Sequence, residues 1–161
     1  MNLFKTFFKK KRMKYNKAYE EEGKFEDYLT YLESIKQKLP KDVFDFVSDF
    51  NRHNFSEQSL HDGWIKSFEC FSDFEAGTTE ITLTLLGAYF DREFKFYFKE
   101  VSQYAISQHI SDMDRDLITF EIGLEQNEEE EDALVFRAKF SGEETYIEIY
   151  FQKIQIDECL K

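Results

Sequence analysis

Apolar residues recur at helical spacing early in the chain and at two-residue spacing later. Phe25, Tyr28, Leu29, Leu32, Ile35 and Leu39 form one apolar stripe and predict a helix over Glu20–Leu39. Lys38-Leu39-Pro40 ends it, because proline lacks a donor and disfavours helix in the residue before it. A second helix is predicted from Lys41 or Asp42 to about Asn51, on Val43, Phe44, Phe46, Val47 and Phe50, with Pro40 just ahead of its first turn. Helix, proline turn and helix read as an αα-hairpin. Residues 51–58 are a polar connection.

After Leu60 the period becomes two. Trp64, Lys66, Phe68 and Cys70 alternate with Ile65, Ser67, Glu69 and Phe71 as the two faces of a first strand. Glu80–Leu86, Glu93–Val101, Leu117–Leu124, Ala133–Phe140 and Tyr146–Ile154 repeat the alternation, and Tyr104–Ile110 is a short strand or an irregular crossing. Helices first and strands afterwards predict an α+β fold, an N-terminal helical hairpin packed on a mostly antiparallel sheet of six to seven strands. A weak internal echo links TEITLTLLGAYFDREFKFYFKEV to DALVFRAKFSGEETYIEIYFQKI, read as two similar hairpins or as a duplication.

Composition supports the strands: 19 Phe and 9 Tyr stand against one Pro and six Gly, and aromatics suit pleated surfaces. The 161 residues are the size of one domain, able to bury a core without a disulfide or metal staple. Cys70 and Cys159 form no disulfide framework or Cys-x-x-Cys pair, and a reducing cytoplasmic setting is expected. No apolar run approaches the ~20 residues of a membrane span.

Charge divides the chain. Residues 1–17 carry seven Lys/Arg and no acid, whereas residues 18–161 carry 14 basic and 33 acidic side chains, a net −19. The expected organisation is a basic amphipathic N-terminal segment, 1–17, and a single α+β domain, 18–161. Leu3, Phe4, Phe7 and Phe8 lie at helical spacing in that segment. It reads either as an anchor for a membrane surface with anionic lipid or for an acidic partner, or as a terminal helix docked on the domain by its Phe face. It lacks the h-region and cleavage site of an export signal. So acidic a body repels phosphate backbones, and no nucleic-acid partner is expected.

Candidate chemistry centres on Leu60-His61-Asp62-Gly63-Trp64. Neighbours in a strand point to opposite faces, so His61 and Asp62 are expected to diverge, with neither Ser59 nor Cys70 in a nucleophile turn. The structural alternative makes Asp62 and Gly63 a turn, Gly63 supplying a positive φ, and Trp64 the start of the sheet. A second candidate is the acidic run Glu128, Glu129, Glu130, Glu131 and Asp132, preceded by Glu125. It lacks the alternation and glycine of a calcium loop, and reads as a solvated hairpin tip or as a patch for a basic partner. No catalytic, cofactor-binding or metal-binding residue is assigned, and no cofactor is called for.

Leu60-His61-Asp62, an ITLTL strand, FKFYFKEVSQY and the lead-in YLESIKQKLP resemble a domain of unknown function in Gram-positive bacterial proteins, with a related layout in toxin-immunity proteins. The likeness spans residues 28–106, with Gly63 in place of a small alanine-like residue. It implies a bacterial setting and no catalytic residues. The expectation is therefore a non-catalytic cytoplasmic protein that binds a basic protein partner, immunity-like, through an acidic surface. The alternative is a sheet or half-barrel whose Phe94, Phe96 and Phe98 line a pocket for an apolar ligand.

Overall fold

The computed structural model describes residues 13–20, 22–107, 115–142 and 145–161. The predicted Leu3/Phe4/Phe7/Phe8 face lies outside them. Helix α1 spans Phe25–Ile35, a 3-10 turn follows at Lys36–Lys38, and α2 spans Lys41–Ser48, with Pro40 immediately before it. Both helices are shorter than predicted. The stretch before Phe25 is turned by Glu20 N donating to Lys17 O and Gly23 N to Glu20 O, and a second 3-10 turn, Phe50–Arg52, replaces the end of the second helix.

Eight strands follow: β1 Trp64–Asp73, β2 Thr78–Leu86, β3 Arg92–Lys99, β4 Gln103–Ser107, β5 Leu117–Gln126, β6 Asp132–Phe140, β7 Tyr146–Phe151 and β8 Lys153–Leu160. They form two four-stranded antiparallel sheets, ordered β1-β2-β3-β8 and β4-β7-β6-β5, rather than the single predicted sheet of six to seven strands. The reason lies at two corners. β3 runs into β4 and β7 into β8, and each pair of strands changes sheet together, so one long ladder folds over on itself. Gln152 N donating to Lys99 O and Ser102 N to Tyr150 O hold the corner, and Glu100 there has φ 51°.

The two halves of the barrel-like sandwich follow one plan. β1-β2-β3 and β5-β6-β7 are each a meander within one sheet, and each half sends its fourth strand, β4 or β8, to the other sheet. Both meanders carry a register shift at the start of their first strand, between Ile65 and Ser67 in β1 and between Leu117 and Thr119 in β5. The first of these corrects the predicted faces of β1. The bulge brings Ile65 and Phe68 to the core side, opposite Leu85 and Leu83, although they are three apart.

Phe94, Phe96 and Phe98 are fully buried, the last two packed at 4.9–5.4 Å against Phe136 and Phe151 of the facing sheet. Phe46 of α2 inserts beside Phe94, Phe96 and Phe120, so the helical hairpin fills the side of the sandwich between β8 and β5. Residues 13–16 cross the outer face of the second sheet. A Cβ at Gly123 would lie 2.3 Å from the Tyr15 ring, so glycine makes the seat for that ring. Among the described residues no helix is long and apolar enough to cross a membrane.

Candidate functional site

Three constellations carry polar or charged side chains in unusual density. The first is the predicted His61-Asp62-Trp64 junction. Trp64 opens β1 as expected, and its indole Nε1 donates to Asp116 Oδ1 at 2.7 Å. His61 and Asp62, however, do not diverge. They precede the strand, in a turn where Asp62 has φ 63°, and this left-handed residue returns its carboxylate to 3.5 Å from His61 Nε2. Gly63 does not supply the positive φ. It is required because a Cβ there would meet Leu86 O at 2.4 Å and Leu60 O at 2.8 Å.

His61 is buried, stacked on Tyr19 at 4.8 Å, with Nδ1 2.7 Å from Ile118 O. A carbonyl can only accept, so Nδ1 carries the proton. Ser59 Oγ, the nearest hydroxyl in sequence, donates to Arg52 O at 3.2 Å and accepts from His61 N at 2.9 Å. Both imidazole nitrogens thus face protein oxygens, and the serine serves the main chain. The nucleophile–base–acid order that acyl transfer needs is not assembled at this junction.

His61 belongs instead to a row of side chains along the free edge of β5. Phe120 O accepts from Asn16 Nδ2 at 3.0 Å, and Ile122 O accepts from the Tyr28 hydroxyl at 3.0 Å. The same Tyr28 oxygen accepts from Ile122 N at 2.8 Å, and the Tyr31 hydroxyl accepts from Leu124 N at 2.9 Å. Positions 118, 120, 122 and 124 are the outward edge of the strand, and each is met by a side chain. This closes an edge that would otherwise offer itself for strand pairing.

The second constellation was not legible in the sequence. Arg137 of β6 lies opposite Glu121 of β5 and Glu148 of β7. Its Nε donates to Glu148 Oε2 at 2.8 Å and its Nη1 to Glu121 Oε1 at 3.2 Å, and Nη2 bonds Glu125. Glu121 is fully buried and also accepts from three consecutive main-chain N–H groups, those of Lys14, Tyr15 and Asn16, at 2.8–3.1 Å. Burial would raise the Glu125 carboxyl, but Lys14 and Arg137 overcome it and hold its pKa below the ordinary carboxylate value. Burial would likewise lower Arg137, and the bonds to Glu148 and Glu125 carry it above the ordinary guanidinium value. The cluster binds the N-terminal segment to the sheet. Alternation marked these positions only as the polar face.

The third is the acidic tip. β5 ends at Gln126 and β6 begins at Asp132, so the run is a hairpin turn, and Glu128–Asp132 are all exposed. Asn127 builds it: its Oδ1 accepts from Glu129 N and Glu131 N, both at 3.0 Å, and its main-chain N–H donates to Glu131 O at 2.9 Å. Glu130 takes φ 62°. Glu125, counted with this run in the sequence, is drawn away into the Arg137 cluster. The tip also touches the neighbouring edge, for Glu128 N donates to Gln103 Oε1 at 3.0 Å.

Gln103 begins β4, one of the two edge strands on the side of the sandwich opposite the helices. The other is β1. Their side chains meet where the Phe68 and Tyr104 rings lie 5.9 Å apart. Tyr104 and Ile106 are exposed at this seam; Phe71 (66%), on the outer face of β1 opposite Glu80, and Phe74 (96%), in the turn after β1, are exposed as well. Sequence reading placed Phe71 and Tyr104 in strands without indicating that those strands end a sheet. No protein-family model matches the chain, and no curated protein does.

Proposed function

We propose that the protein is a non-catalytic, cytoplasmic bacterial protein that binds a basic protein partner through its acidic surface, in the manner of a toxin-immunity protein. The observation that carries this reading is the state of the tip. Five adjacent acids are held exposed on a turn, while the two cations of the adjoining Glu121–Glu125 cluster are engaged there: Lys14 with Glu125, and Arg137 with Glu121, Glu125 and Glu148. Asn127 organises the turn from its own backbone, so the carboxylates remain directed to solvent without a structural duty. Such a field speeds association with a partner of opposite charge. The His61-Asp62 pair, engaged with the β5 edge and the main chain, supports a structural role for that motif.

The test is association with the basic protein encoded beside its gene, measured at low and high salt. Binding that weakens with salt, and weakens further when Glu128, Glu129, Glu130 and Glu131 are all changed to Gln, is the expected result. Salt-independent binding, or none, would remove the reading. His61→Ala should lower the melting temperature and leave that binding unchanged.

A further inference from the structure

The two halves of the molecule share one plan, and this exposes a difference between them. β1 and β5 are equivalent strands: each begins a meander, each carries a bulge at its start, and each lies at the end of its sheet. The free edge of β5 is covered by Asn16, Tyr28, Tyr31 and His61. Among the described residues, no strand or helix covers the equivalent edge of β1. From Phe68 onward that strand leaves Glu69, Cys70, Phe71 and Ser72 exposed.

The surroundings of this edge state what would suit it. No Lys, Arg or His occurs from Ser67 to Asp91 or from Val101 to Ser107, whereas Glu69, Glu75 and Glu80 are exposed there. The acidic tip adjoins the same region through Glu128 N and Gln103, and Val101 N donates to Thr79 O at 3.0 Å, tying the corner to the start of β2. An apolar centre of Phe68, Tyr104 and Ile106 is thus flanked by acids, which is the layout of an interface core and rim, while Phe71 lies on the other face of β1, opposite Glu80. A second copy of the chain would bring the same acids against these, and like charge opposes it.

We propose that the free edge of β1 takes an extended segment of the partner protein as an added strand, one that alternates basic and apolar residues. Main-chain bonds to β1 supply affinity, apolar side chains fill the Phe68–Tyr104 seam, and basic ones face Glu69, Glu80 and the tip. This rests on the acidic-surface reading above and places the partner on the molecule.

The probe is a synthetic ten-residue peptide alternating Lys and Ile, titrated into the full chain, with amide exchange followed along β1. The expected result is slowed exchange at amides between Phe68 and Asp73. Binding should fall by roughly tenfold when alternate peptide nitrogens are methylated, since side chains and charge persist while strand pairing is lost. Phe68→Asp should weaken binding by a similar factor, and Glu69→Lys, which changes only an exposed side chain, covers the event that the first variant fails to fold.

Binding indifferent to methylation and to Glu69→Lys, yet lost in the tip variant, would overturn strand addition and leave the acidic-surface reading standing. A Glu–Ile peptide binding β1 as well as the Lys–Ile peptide would overturn the basic partner. No binding of the Lys–Ile peptide, with salt-sensitive binding of the basic protein intact, would also overturn strand addition.

Discussion

His53 shows how one buried side chain can set a pH response. Its ring stacks on Phe120 at 4.3 Å, Nε2 donates to Val47 O at 2.8 Å, and Nδ1 accepts from Asn16 Nδ2 at 3.3 Å. Every position of the neutral imidazole is used, and a proton on Nδ1 would face a donor. Burial lowers its pKa from 6.5 to about 4, with the Val47 carbonyl acting in the opposite direction. Because the folded value lies below the unfolded one, the unfolded chain takes up the proton first. The stabilisation is complete above about pH 6.5, declines as pH falls and is gone near pH 4, a loss of about 3 kcal/mol. Glu125 acts in the same sense, but below the ordinary carboxylate value. Urea midpoints measured from pH 7 to pH 4.5 should therefore fall in the natural protein and fall distinctly less in His53→Gln, whose amide can donate and accept without titrating.

At the scale of the element, the edge strands differ more than the cores. β5 is an outer strand with almost no free edge, because helix α1 sets Tyr28 and Tyr31 one turn apart along it. The Tyr28 hydroxyl both donates to and accepts from Ile122 in a site closed to water, so Tyr28→Phe leaves two buried main-chain groups unpaired. A loss of about 1–3 kcal/mol in unfolding free energy is expected, with the slope on urea unchanged. The half-buried Tyr31 meets one main-chain group, Leu124 N, where Tyr28 meets two, and should cost less when changed to Phe. Equal losses would mean that water replaces the Tyr28 hydroxyl. Among the described residues β1, with the same place in the other half, is guarded only by its bulge and its acids.

For the whole molecule the decisive quantity is net charge. The chain carries −12, and Lys14, Lys66, Arg92, Arg137 and Lys161 are each spent on local acids. What remains on the surface is mostly negative and repels itself. Adding salt to physiological strength shortens the screening length from ~30 Å at low salt to ~8 Å, relieving that repulsion more than it weakens the closer pairs. The melting temperature should rise by about 2–4 °C, the shift that ~1 kcal/mol produces in a chain of this size. Calorimetry at two salt concentrations checks it, and a fall in melting temperature would mean that ion pairs outweigh the surplus.

Local pattern was sufficient for the helical hairpin, the proline between its helices, the start of the sheet at Trp64 and the positions of most strands, because period and turn chemistry are properties of neighbouring residues. The change of sheet had a trace of its own. Inward residues pass from Ile147, Ile149 and Phe151 to Ile154 and Ile156, an odd-to-even slip at Gln152, and Ile65 to Phe68 and Leu117 to Phe120 slip likewise. Read as continuous alternation, these slips hide both the bulges and the corner. Tertiary structure alone decided which edges are covered and where Glu121 and Arg137 meet. It also decided that His61 and Asp62 lie together, since a left-handed residue at 62 overrides the divergence of a strand. The covered edge of β5 is held by hydrogen bonds across 57 to 104 residues of chain, which no local window contains, and Glu121 meets Arg137 across 16 residues only because β5 pairs with β6 in that register.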